Sequence, residues 1–133
     1  RPSGEGTLLY ERVADDIDKL ARGHRGSNGY GSVGAVVGAT YPEELEKLRG
    51  MMSHCWLLVP GYGSQGGTAA DVAGAFDNQG LGAVINNSRG IIFAHSREPY
   101  AEQFGEARWQ DAVAAATQDM IDQLRAETSV GKL

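Results

Sequence analysis

Apolar and polar positions along the chain follow two alternating periods. Over residues 7–22, Leu9, Val13, Ile17 and Leu20 recur at steps of four, four and three, which predicts a helix with one apolar face. Thr7 is placed to cap it, Asp15 and Lys19 form a supporting pair four apart, and Gly23 supplies the stop. The polar, glycine-rich residues 24–32 read as a loop. Val33-Gly34-Ala35-Val36-Val37-Gly38 then makes a short apolar run of the kind a strand shows when it is buried on both faces. Thr40 and Glu43 have capping-box spacing around Pro42, ahead of a helix carrying Leu45 and Leu48. A second such strand is expected at Trp56-Leu57-Leu58-Val59, followed by a glycine loop and a helix with Thr68 and Asp71 at cap spacing and Val72, Ala73 and Phe76 on one face. Gly82-Ala83-Val84-Ile85-Asn86 is the third strand. A long helical region over residues 98–128 carries Phe104, Ala112, Val113, Ala116, Met120 and Leu124, with a break expected at Gly105.

The order is therefore helix, then three strands each followed by a helix. Strands that are apolar throughout and joined by helical crossovers pair in parallel. They start near residues 33, 56 and 82, a repeat of about 25. Three parallel strands alone would leave two flat apolar edges unpaired, an aggregation hazard, so further strands are expected. Eight such units would need about 200 residues, the scale of a (β/α)8 barrel. No composition shift marks an internal boundary, so residues 1–133 are expected to form one part of a single barrel domain. The opening Arg1-Pro2-Ser3-Gly4, without a methionine or a signal-peptide pattern, fits either a processed chain or the C-terminal portion of something longer.

Composition narrows the functional classes. With 41% apolar residues the 133-residue chain is not disordered, and no apolar stretch approaches the ~20 residues that span a bilayer. Cys55 is the only cysteine, which excludes an internal disulfide framework. The net charge of −5 and the scattering of basic residues, of which Arg22 and Arg25 are the nearest to a cluster, argue against nucleic acid and against a membrane surface. A small phosphate ester remains compatible, because one arginine and a few backbone amides suffice for it.

In parallel α/β folds the ligand lies at the carboxyl ends of the strands. Here those ends are Gly38-Ala39-Thr40, Pro60-Gly61-Tyr62-Gly63-Ser64-Gln65-Gly66-Gly67 and Asn86-Asn87-Ser88-Arg89-Gly90. Four glycines in the second allow close backbone approach to an anion, the helix start at Thr68 adds its dipole, and Gln65 adds an amide; a plain strand–helix turn would use glycines too. Gly61, Gly63 and Gly66 satisfy G-x-G-x-x-G, but a dinucleotide site would want an acid where Asn86 and Asn87 stand. There is no P-loop motif and no G-x-S-x-G elbow. Arg89, directly after an apolar strand, would need an anionic partner, either a neighbouring carboxylate or a phosphate held by its planar fork. A glycine-rich strand end followed by an arginine-bearing one matches the phosphate site after strands seven and eight of a barrel. His24, His54, Cys55 and His95 lack metal-ligand spacing, Cys55 reads as a small buried apolar residue, and the acids, Asp15, Asp16 and Asp18 among them, fall on helix faces and caps expected to be solvated.

Taken together, Val36-Val37-Gly38-Ala39-Thr40-Tyr41-Pro42-Glu43-Glu44-Leu45, the P-G-x-G-x-Q-G-G element at residues 60–67 and the S-R-G at residues 88–90 closely resemble the orotidine 5′-phosphate decarboxylase family, in its longer bacterial subgroup. The resemblance covers nearly the whole chain. It implies a barrel of which these are the sixth to eighth strands, and an intact enzyme that converts orotidine monophosphate to uridine monophosphate and carbon dioxide without metal or organic cofactor. It further implies a cytoplasmic homodimer. By the same matching, Pro60 contacts the pyrimidine, while Gln65 and Arg89 hold the 5′-phosphate with the backbone at Gly66 and Ser88. The family's catalytic D-x-K-x-x-D-type element has no counterpart here, since Lys19, Lys47 and Lys132 lack the aspartate spacing. No catalytic residue is therefore expected in this chain. Two other assignments compete with this one: another phosphate-binding barrel lyase, and a non-catalytic phosphoribosyl-binding half-barrel.

Overall fold

The computed structural model describes residues 6–63 and 66–132. Helix α1 (Leu9–Arg22) leads into strand β1 (Gly34–Val36), helix α2 (Pro42–Met51) and strand β2 (Trp56–Val59). Helix α3 (Ala69–Val72), extended by a 3₁₀ turn, precedes strand β3 (Ala83–Ile85). Helices α4 (Ser88–Ile92), α5 (Tyr100–Phe104) and α6 (Trp109–Glu127) complete the order. The three strands form one parallel sheet in the order β1-β2-β3, with Val36 opposite Leu58 and Leu58 opposite Val84. This is the repeated βα unit of a (β/α)8 barrel, present as three strands with their helices.

The helices cover one face of the sheet. Leu45, Met52, Cys55, Leu57, Val59 and Val72 are buried there, and a smaller cluster of Ala94, Ala112 and Ala116 joins α5 to α6. The other face is bare: Val36, Leu58 and Val84 form a single row across the sheet at 68%, 42% and 55% exposure. The strands expected to be buried on both faces are thus covered on one. The open face is nonetheless apolar, as the interior of a barrel is.

Helix α1 departs from its expected orientation. Ala14, Asp18 and Ala21 are buried, whereas Leu9, Val13 and Leu20 are exposed, and only Ile17 of the expected apolar set packs on the core. Leu9 and Val13 instead line an apolar groove with Leu8, Tyr10 and Val36 beside β1. Asp18 is therefore not on a solvated face. The helix is capped at Leu8, not at Thr7, through the Glu11 carboxylate, which accepts the Leu8 N–H at 2.9 Å. The Asp15–Lys19 pair forms as expected, at 2.6 Å. Helix α2 begins with Pro42 after Tyr41, with no side-chain cap, so the Thr40–Glu43 box does not form. Pro42 already has the φ that a first helical position needs and offers no N–H to cap. The Thr68–Asp71 box does form, and the break at Gly105 is real, with φ +64.

Candidate functional site at the carboxyl ends of the strands

The β1–β2 ladder runs on past the strands: Leu58 O accepts Val37 N–H and Pro60 O accepts Ala39 N–H, both at 2.9 Å. Pro60, with no N–H of its own, ends the strand half-buried at its carboxyl end. Beyond it the chain turns back on itself. Gly63 N–H donates to Gly67 O at 2.8 Å, Gly66 N–H to Gly63 O at 2.9 Å and Gly67 N–H to Gly61 O at 3.3 Å. Gly61, Gly63 and Gly66 all have positive φ (108°, 69° and 87°), a region that glycine enters without strain. Ser64 and Gln65 lie outside the described residues. The loop is pinned from outside by Tyr62, whose buried hydroxyl donates to Gln123 Oε1 on α6 at 2.6 Å.

The amino end of α3 is already occupied. Asp71 accepts from Thr68 N–H and Thr68 Oγ1, each at 2.8 Å, and these bonds hold its carboxyl below the ordinary value. A phosphate there would face a carboxylate, so the helix-end part of the anion expectation is not met at Thr68. A small hollow of about 150 Å³ between Thr40, Gly61, Gly66 and Asp71 shares that negative edge.

The other side of the loop faces the turn after β3. Asn87 caps α4, its Oδ1 accepting Gly90 N–H at 3.1 Å, and Ser88 and Arg89 follow it on the exposed first turn. Arg89 makes no ion pair among the described residues, so the neighbouring-carboxylate alternative finds no support there. The structure thus brings Gly63 of the loop beside the Asn87–Arg89 turn, and a cleft of about 230 Å³ opens between the loop, this turn and α6, lined by Tyr62, Gly63, Asn87, Gly90 and Arg97 together with the acids Glu98 and Asp119; Arg89 is not among its lining residues. At the end of β3, Asn86 Oδ1 is buried without a donor among the described residues. Tyr62 and Asn87 were not singled out from sequence. For Asn87 a signal existed, because asparagine three residues before Gly90 has cap spacing. No three His, Cys, Asp or Glu side chains among the described residues are arranged to hold a metal ion. Among those residues no helix is long and apolar enough to cross a membrane.

No family model matches the chain. Curated relatives do. Orotidine 5′-phosphate decarboxylase of Rhodopirellula baltica is 52% identical over 123 residues, covering 92% of this chain and 41% of that protein. The enzyme of the same name from Petrotoga mobilis is 41% identical over 128 residues, 96% of this chain and 43% of that one. Among solved structures, Leishmania donovani UMP synthase matches with TM-score 0.63 and 33% identity over 96% of this chain and 24% of its own. Leishmania donovani OMP decarboxylase gives 0.62 and 30%, over 96% of this chain and 41% of its own. The chain spans about two-fifths of the length of the curated relatives it matches. Along nearly all of its own length, then, this chain is homologous to a part of the orotidine 5′-phosphate decarboxylases and has the fold of part of their barrel.

Proposed function

We propose that the protein carrying this chain is an orotidine 5′-phosphate decarboxylase, releasing carbon dioxide from orotidine monophosphate to leave uridine monophosphate, and that these residues hold the substrate's phosphate end. The observation that carries this reading is the juxtaposition of two successive strand ends, a positive-φ glycine loop after β2 and, after β3, an arginine with no ion pair among the described residues, in a chain homologous to such enzymes. Residues 1–133 are one part of a single barrel domain, corresponding to strands six to eight, and the bare row Val36, Leu58 and Val84 faces the barrel interior.

Each residue has a physical task. The Arg89 guanidinium meets two phosphate oxygens with its planar fork. Pro60 offers an apolar surface to the pyrimidine at the end of β2, Gln65 adds an amide donor, and the Gly66 and Ser88 backbones shape the walls. None of these groups touches the carboxylate that leaves. They contribute through binding energy remote from the reacting bond, which holds the substrate in the organised site. The groups that manage charge and proton at the pyrimidine are not among these 133 residues, so the chain alone is inactive. The intact protein is a cytoplasmic homodimer on this reading, acting on a nucleotide without a cofactor.

Turnover of orotidine monophosphate by the intact protein tests the assignment. Arg89→Ala should lower kcat/KM by roughly 2–4 kcal/mol, the scale for a lost charge-assisted contact. Unchanged kinetics on the phosphorylated substrate would remove Arg89 from the site.

A further inference from the structure

The side chain of Asn87 stands where the two ligand-facing turns meet. Its Oδ1 accepts Gly90 N–H at 3.1 Å. On its other side it lies against the glycine loop: a Cβ on Gly63 would stand 3.0 Å from Asn87 Nδ2 and 3.1 Å from Oδ1. A Cβ on Gly90 would stand 2.4 Å from the same Oδ1 and 2.5 Å from Nδ2. One amide therefore fills the space that a side chain at either glycine would need. Gly63 also has a backbone reason to be glycine, at φ +69. Gly90 is helical and has none; a side chain there would meet the Asn87 amide first. The Asn87 amide is thus packed between Gly63 of the loop after β2 and Gly90 of the turn from which Arg89 departs.

We propose that Asn87 is a positioning residue, whose amide holds the glycine loop and the Arg89 turn at the spacing one phosphate needs. This rests on the phosphate-ester reading above, and its test separates the two. A helix cap alone would act on stability and leave ligand preference untouched. Asn87→Ser keeps an acceptor for Gly90 N–H and adds no charge, and serine caps helices as well as asparagine does. It removes the amide that packs against Gly63.

The experiment is calorimetric titration of the intact protein with uridine monophosphate and, separately, with uridine. Asn87→Ala and Asn87→Ser should each weaken uridine monophosphate by roughly tenfold or more. Uridine should stay within about twofold in both, and the Ser variant should keep the parent's melting temperature to within a few degrees. Equal weakening of both ligands, or a Ser variant that folds and binds uridine monophosphate like the parent, overturns the positioning role; the Ser variant decides alone if the Ala variant does not fold. A parent protein that binds uridine as tightly as uridine monophosphate overturns instead the phosphate-site reading on which the proposal stands.

Discussion

The two ends of the sheet use polar residues in opposite ways. At the amino end they are buried and paired. Asp18 is 1% exposed and accepts from His54 N–H at 2.9 Å and from Arg22 at 3.0 Å, with His54 Nδ1 3.1 Å from its second oxygen. Beside it Tyr30 donates to Asp77 at 2.7 Å, and Arg49, also buried, donates to Gly82 O at 2.9 Å and to Met52 O while stacking over the Tyr30 ring. At the carboxyl end, Ser88 and Arg89 are exposed and Arg89 has no ionic partner among the described residues. A buried polar group must find its partners within the protein, whereas an exposed arginine on a turn remains free for a ligand. In a barrel the amino face serves stability and the carboxyl face serves chemistry, and the proposed function divides these three strands in the same way.

That comparison can be broken by mutation, starting with the largest effect. Asp18→Ala leaves the buried His54 N–H without its acceptor and should cost about 3 kcal/mol of unfolding free energy in the intact protein, read by denaturant titration, with the preference for uridine monophosphate over uridine unchanged. A loss of that preference would mean the two ends are coupled. Gly63→Ala, at φ +69 and against Asn87, should cost about 1–2 kcal/mol and, unlike Asp18→Ala, should reduce that preference. Tyr30→Phe removes one hydroxyl bond to Asp77 and should cost about 1 kcal/mol, with binding unaltered.

Acid sharpens the same contrast. Burial alone would raise the Asp18 carboxyl, but the hydrogen bonds from the His54 backbone, the His54 ring and Arg22 outweigh it and hold the group below its ordinary value. Asp77 is lowered likewise against its burial, by Tyr30 and the Leu81 and Gln79 amides. A folded-state value below the unfolded one stabilises the protein above about pH 4 and loses that contribution as pH falls through the folded value. Melting temperature should drop in that window, and Asp18→Asn should flatten the drop. The Tyr30 phenol, pushed up to about 12 by burial and by Asp77, stays protonated as the hydroxyl donor at any pH where the protein is handled.

Much of the architecture was legible in the chain. Parallel strands followed from short apolar runs separated by helical periods, and Trp56–Val59 is the strand that pattern marks. The cap at Thr68 and the break at Gly105 are local events, set by residues within four positions of one another. The orientation of α1 was not legible. Leu9, Val13 and Leu20 make the better apolar face, yet the described helix turns Ala14, Asp18 and Ala21 inward. Asp18 is drawn in by a backbone amide 36 residues away. No periodicity encodes that contact.

The same boundary runs through the site. Glycines at residues 61, 63 and 66 and an arginine after the third strand are sequence facts, and they point to a candidate ligand-facing end because glycine and arginine have distinctive chemistry on their own. Tertiary structure decided what flanks the glycine loop. Asp71 puts a carboxylate on the α3 side, and the Asn87 amide packs against Gly63 on the side from which Arg89 departs. Helices, strands and caps arise from forces acting over a few residues, so the sequence determines them directly. The pairing of Asp18 with His54 and the placement of Asn87 against Gly63 depend on distances across the sheet, and those exist only once the chain has packed.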